Sequence, residues 1–557
     1  MRRTLAAFVL VVCFAAATAH AAGERLLTAA RIHSADPATA PADAMVWDGG
    51  GRILAVGRAD ALRGEYPDAE VLDLGDAVVV PGLIDAHAHL MNLGQALLSA
   101  DLAGARSKDE VIERLQAYAA DLPEGAWLLG RGWDQNLWPD KAFPTAADLD
   151  AAFPDRPVWL DRVDGHAGWA NSAALRAAAA QEGARELRGD WQLDGGRIVR
   201  EGDEPTGVFV DAAMALVEAA IPPGGGASAE EALERALAAA VRNGLTGVHD
   251  MGVSREELAL FRRFADAGRL PLRISAYADG DGRALDDLCT GGLYRHPQGR
   301  LRMEGVKLYM DGALGSRGAA LLEEYSDEPG NDGLLLTEPD ALAAAVRKAR
   351  DCDVQVATHA IGDRGNRIVL DTYAEALDDR ADGDHRWRVE HAQVVAPADI
   401  PRFAALGLIA SMQPTHATSD MPWAEDRVGA DRLAGAYAWR RFLDAGVPLA
   451  LGSDFPVESV DPRLGLYAAV TRQDRDGRPP GGWLADQKLS AAEALHGFTA
   501  AAAHAGRAED AVGRLVPGLR ADFVVLAADP LALPAAELDE VRILSTWVDG
   551  VAVYEAE

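Results

Sequence analysis

Eight stretches of the chain share one pattern, an apolar run that turns polar at its C-terminal end. They are "GLIDAHAHL", "LTGVHDMG", "LRISAYAD", "GVKLYMDG", "VQVATHAIGD", "RWRVEHAQ", "LIASMQPTH" and "VPLALGSDFP". Helix-like segments alternate with these runs, as in α/β folds. Ser107-x-x-Glu110, Ser228-x-x-Glu231 and Ser490-x-x-Glu493 have the form of capping boxes, and Gly244 and Gly506 stand where helices should stop. Eight buried strands with polar C-terminal ends predict a (β/α)8 TIM-like barrel whose site lies at that end.

One interval breaks the rhythm. About 150 residues separate the first two strands, far more than a normal connection, so roughly residues 100–227 read as an inserted lobe. Outside the barrel the pattern becomes short β segments. "AMVWDGGGRILAVG" reads as a hairpin, and "ADFVVLAADP" and "ILSTWVDGVAVYE" read as strands, the latter with an Asp549-Gly550 turn. Residues 22–80 and 510–557 are therefore expected to build one small β-sandwich from both termini, flanking a barrel over 81–509.

The first residues change the picture. Arg2 and Arg3 precede the apolar stretch "LAAFVLVVCFAAATA", and "AHA" follows. This is the form of a signal peptide cleaved after Ala21, and it places the mature protein in the periplasm or outside the cell. The net charge of −32 disfavours nucleic acid and anionic membrane as partners. A small-molecule substrate is expected instead, and a homo-oligomer is compatible with the chain. Cys289 and Cys352 read as buried small residues rather than a disulfide framework, although export would permit pairing. No CxxC pair offers a thiolate metal site.

The chemistry lies on the strand ends. His87 and His89 are two apart, so both can face the barrel axis and grip one ion. Lys307 lies on the fourth strand, His359 ends the fifth, His391 the sixth and Asp454 the eighth. These groups converge on one mouth if the barrel closes.

Here the chain resembles the amidohydrolase superfamily of metal-dependent hydrolases, over nearly the whole mature length. The motifs "GRGWDQNLW", "DGHAGWANSAAL", "KLYMDGALGSRGA", "THAIGDR", "VEHAQ", "SMQPTHATSDMPW" and "LGSDFPV" resemble its third branch, the YtcJ-like group with the N-substituted formamide deformylases. The resemblance implies two divalent metal ions; imidazole and carboxylate ligands suit zinc, with Mn, Fe or Co as alternatives. His87, His89 and Asp454 would hold one and His359 and His391 the other. Lys307, as a carbamate formed with CO2, would bridge them. It further implies a metal-bridging hydroxide that attacks an amide or N-formyl amide carbonyl, with Asp454 as general base and then acid. A ring-compound deaminase is the nearest alternative. "AIGD" after His359 and "AQVV" after His391 lack the glutamate such enzymes carry. Ester or lactone hydrolysis needs the same hydroxide, and a metal-binding protein without turnover is the non-enzymatic alternative.

Other residues are assigned around that centre. Trp133, His166, Arg317 and His416 are candidates to contact substrate. Asp85, His249 and Asp363 are candidates to support the ligands. Asp85 shares the parity of His87 and His89 but lies deeper.

Overall fold

The eight runs lie side by side. The computed structural model of the protein describes residues 23–120, 122–123, 125–181, 186–222, 229–280, 283–378 and 383–557. The signal segment and the Ser228 cap lie outside the described residues. Strands β1 (Leu83–Ala88), β2 (Leu245–Val253), β3 (Arg273–Asp279), β4 (Leu301–Tyr309), β5 (Gln355–Ala360), β6 (Arg388–His391), β7 (Ile409–Met412) and β8 (Leu449–Leu451) pair in that order. Every one of these pairings is parallel. The fold is an α/β barrel.

The segment after β8 closes it. Asp454 N–H donates to His87 O at 2.7 Å, and His89 N–H donates to Phe455 O at 2.9 Å. The seam is tight. A Cβ on Gly452 would stand 2.6 Å from both Asp85 Oδ1 and His87 N, so only glycine fits there.

The helices pack by amphipathic spacing. In Asp363–Leu377, Val369, Leu370, Tyr373, Ala376 and Leu377 are buried. Each large one is worth about 1.5–3 kcal/mol by its removal from water. Tyr373 also donates to Thr358 Oγ1 at 2.6 Å, which pins this helix to β5. The Ser490 capping box is complete. Ser107 accepts from Glu110 N–H, but the Glu110 carboxylate turns to Arg106 N–H instead. Gly244 is left-handed at φ +82°, as a helix stop requires. Gly506 is needed for another reason. Its φ is −93°, and a Cβ there would meet the His249 ring at 2.4 Å.

Between β1 and β2 the lobe forms its own six-stranded sheet. Its core holds Trp133, Trp138 and Trp169, with Trp133 6.0 Å from each of the other two rings. At the other end, one sheet combines strands from both termini. Val78–Pro81 pairs antiparallel with Phe523–Leu526, immediately before β1 begins. That junction anchors the strand carrying His87.

The cysteines need a correction. Cys289 and Cys352 are not separate packing residues but a disulfide, with Cα atoms 5.1 Å apart. They are 63 residues apart in sequence. Neighbouring barrel helices, Ala284–Gly291 and Pro339–Asp351, bring them together. Among the described residues no helix is long and apolar enough to cross a membrane.

Candidate metal centre

The period of two on β1 brings His87 and His89 to the same end, with ring centroids 5.5 Å apart. Each ring is fixed through its Nδ1. His87 Nδ1 lies 2.6 Å from Glu390 Oε2, and His89 Nδ1 lies 2.9 Å from Met251 O. Their Nε2 atoms are left to face Asp454 Oδ1, at 3.5 and 3.1 Å. Lys307 Nζ, from β4, lies 3.2 Å from His87 Nε2. From β5 and β6, the rings of His359 and His391 lie 4.5 Å apart, and His391 is 4.7 Å from His87.

Two of these groups sit on left-handed backbone. His391 has φ +69° and Asp454 φ +63°. Such positions cost on the order of 1–3 kcal/mol when not glycine, and they collect at working sites. The turn at His391 swings its ring towards the mouth, one residue after Glu390 has pointed into the barrel.

Burial sets the charges. It lowers Lys307 to about 8, against the pull of Glu390 and Asp454. It pushes His87 down to about 4, with Lys307 adding to the effect. Burial, together with neighbouring His391 and His166, holds His359 well below its ordinary range. Asp454 goes the other way from burial: the neighbouring His87 and the hydrogen bond from His416 hold its carboxyl well below the usual range. The result is neutral imidazoles at His87 and His359 near an ionised carboxylate, the donor types a divalent ion such as zinc prefers.

Two buried atoms of this set lack a hydrogen-bond partner, His359 Nε2 and Asp454 Oδ1. Leaving such a group unmet costs roughly 1–3 kcal/mol. A cation beside each would remove that cost, so the residues fit metal binding. Among the described residues, His87, His89 and Asp454 offer ligand atoms within 4.8 Å of one another, and so do His391, His416 and Asp454.

His89, Lys307, His359, His391 and Asp454 all line one cavity of about 1010 Å³, whereas His87 is fully buried and outside its lining. The lobe supplies its outer wall. His166 lines it, with Nδ1 2.5 Å from Asp211 Oδ1 and its ring 5.5 Å from His359. Burial would lower His166, but Asp211 outweighs it and raises the imidazole to about 9. His416 also lines the cavity, 3.4 Å from Asp454 Oδ2 and 3.2 Å from Glu458 Oε1. Both of its ring nitrogens thus face carboxylates, so it braces Asp454 and is placed to contact substrate.

Three assignments change. Trp133 does not line the cavity. It is fully buried in the lobe core, and its indole N–H donates to Leu160 O. Arg317 faces Asp327 and Glu328 and braces a loop, away from the cavity lining. Asp363 accepts from Leu322 N–H at 2.8 Å, and the carboxylate near His359 is instead Asp311, at 3.8 Å. Asp85 accepts from His87 N–H, Ser453 N–H and Ser453 Oγ–H, clamping the closing seam. His249 Nδ1 lies 2.9 Å from Arg388 Nη1 and reaches the ligands through that arginine.

The sequence reading missed Glu390, Arg388, Asp211 and Glu458. Arg388 and Glu390 carried a usable signal, because two charges at period two on an otherwise apolar strand must point into the barrel. Asp211 and Glu458 lie 45 and 42 residues from the histidines they hold, with no local mark.

The profile of the amidohydrolase family matches residues 70–554. The chain belongs to that family. It is accordingly a metal-dependent hydrolase. It is 34% identical over 517 residues to YtcJ of Bacillus subtilis (strain 168), covering 91% of this chain and 94% of that protein. It is 32% identical over 524 residues to the N-substituted formamide deformylase of Arthrobacter pascens, with the same two coverages. Among solved structures, an uncharacterized metal-dependent hydrolase from Pyrococcus horikoshii OT3 matches with TM-score 0.74 and 28% identity. That match covers 92% of this chain and 99% of the other.

Proposed function

We propose that this amidohydrolase cleaves a non-peptide C–N bond, in an amide or N-formyl amide of a small molecule. One observation carries the reading: His87, His89, Lys307, His359, His391 and Asp454 meet at the mouth of one barrel, beside a cavity of about 1010 Å³. The full-length similarity to a formamide deformylase supports the choice of bond.

His87, His89 and Asp454 would hold one divalent ion, zinc by ligand type, and His359 and His391 a second. Bound there, such ions polarise a carbonyl and make water acidic enough to attack at neutral pH. Lys307 would join the sites as a carbamate. An ammonium cannot ligate a cation, and burial has already brought its pKa down to about 8, so the neutral amine that reacts with CO2 is accessible. Asp454 remains ionised and can accept the proton of the attacking water. It then returns that proton to the departing nitrogen. His416 steadies the carboxylate from its Oδ2 side. His166, held by Asp211 on the cavity wall, is placed to contact the substrate.

Export is part of the proposal. The basic-then-apolar N-terminus and the Cys289–Cys352 disulfide both suit a periplasmic or extracellular enzyme. The test is a panel of N-formyl amines, N-acyl amines, esters and lactones, with the zinc-loaded enzyme. Release of amine from the amides supports the reading. Turnover of esters or lactones alone overturns it.

A further inference from the structure

Strand β6 carries a buried ion pair that the proposed reaction does not use. Arg388 and Glu390 are two apart, so both side chains point into the barrel, and both are wholly inaccessible. The guanidinium is fully engaged. Its Nε and Nη2 donate to the two Glu390 oxygens at 2.7 and 2.9 Å. Nη2 also donates to Ala86 O and Ser411 Oγ, and Nη1 donates to Tyr277 OH and faces His249 Nδ1. Tyr277 donates onward to Gln355, which is tied to Ala505 O. A polar column thus runs through the middle of a barrel that apolar layers would ordinarily fill.

A buried ion pair of this kind is poor evidence for stability, since apolar residues of the same volume usually serve as well or better. What the column reaches is more telling. Glu390 Oε2 takes the Nδ1–H of His87 at 2.6 Å. An imidazole pinned at Nδ1 presents its Nε2 lone pair at the far edge of the ring. That edge faces Asp454 and Lys307.

We infer that Glu390 is a positioning residue for metal binding, with Arg388 as its brace: together they fix the ring plane of His87 and the tautomer whose Nε2 lone pair faces the mouth. The inference rests on the metal-centre reading above. It explains why a net-neutral pair occupies the space under the ligands, and why β6 changes hand at His391 only after Glu390 has been directed inward.

The test uses Glu390→Gln in the full chain. The amide is isosteric, but it loses the charge that orders the imidazole. Zinc affinity is measured by chelator competition, and thermal stability is measured on the metal-free protein. The expected result is zinc binding weaker by about 10–100-fold, in a metal-free protein that is still folded at the assay temperature although its midpoint falls, because Arg388 is left without its buried counter-charge. Zinc affinity within twofold of the parent overturns the inference, as does a loss of affinity that only follows a loss of fold. A second measurement needs no variant. Nitrogen NMR of 15N-histidine-labelled, metal-free parent is expected to show His87 protonated at Nδ1 and bare at Nε2; the opposite tautomer overturns the inference. A parent that binds no zinc at all fails the metal-centre reading itself, which separates the two.

Discussion

Asp454 and His87 meet twice, once through the backbone and once through the side chains. The Asp454 amide donates to His87 O at 2.7 Å, and Asp454 Oδ1 stands 3.5 Å from His87 Nε2. The same contact that closes the barrel also sets the spacing of two candidate ligands. Closure and site are one piece of construction.

Asp454→Asn keeps the size of the side chain and removes the proton acceptor. Turnover by the metal-loaded enzyme is expected to fall by about 10²–10⁴-fold, the usual worth of acid–base assistance. Metal content is expected to be largely retained, because His87 and His89 remain. Steady-state kinetics beside metal analysis checks both, and parent-like turnover would remove Asp454 from the mechanism.

Lys307→Ala should lower bound metal from two equivalents to about one if the lysine joins two sites. Carbon NMR of parent protein given 13C-bicarbonate should show a carbamate carbonyl that is absent from the variant. An unchanged metal content, with no carbamate signal in the parent, would return Lys307 to a simple buried cation.

How much of this was legible beforehand depends on whether the signal was local. His87 and His89 announce themselves because a strand's period of two is visible in eight residues. The barrel was legible for the same reason, repeated eight times. Trp133 was not, since a tryptophan in "GRGWDQNLW" reads alike whether it lines a cavity or fills a lobe; only the partners Trp138 and Trp169 decide. Asp363 was chosen for being near His359 in sequence, yet β4 delivers Asp311 to that place from 48 residues upstream of His359's own number. The disulfide depended on two helices packing side by side, which no spacing between cysteines encodes.

The charge on His416 gives a pH dependence. Burial would lower its pKa, but the hydrogen bonds to Asp454 and Glu458 raise it to about 10, above an ordinary value of 6.5. A folded pKa above the unfolded one adds stability that is fully present below pH 6.5 and is lost as pH rises through about 10. Metal-free protein should therefore lose thermal stability over that window, and His416→Gln should flatten the decline. Parallel curves for the two proteins would show that His416 is not so held.

The disulfide closes a loop of 63 residues, for which chain entropy suggests about 4 kcal/mol. Cys289→Ser with Cys352→Ser should lower the melting temperature by several degrees, with little change in kcat, since neither residue lines the cavity. Reductant should shift the parent and not the double variant. Equal shifts in both would argue against the bond.

The central claim is that two metal ions held by one barrel mouth hydrolyse a C–N bond. Metal-free enzyme titrated with zinc, and assayed for amine release from an N-formyl or N-acyl amine it accepts, tests this most directly. Activity should rise to a plateau at about two equivalents per chain. A plateau at one equivalent, or amine release that persists in the chelated enzyme, would contradict it.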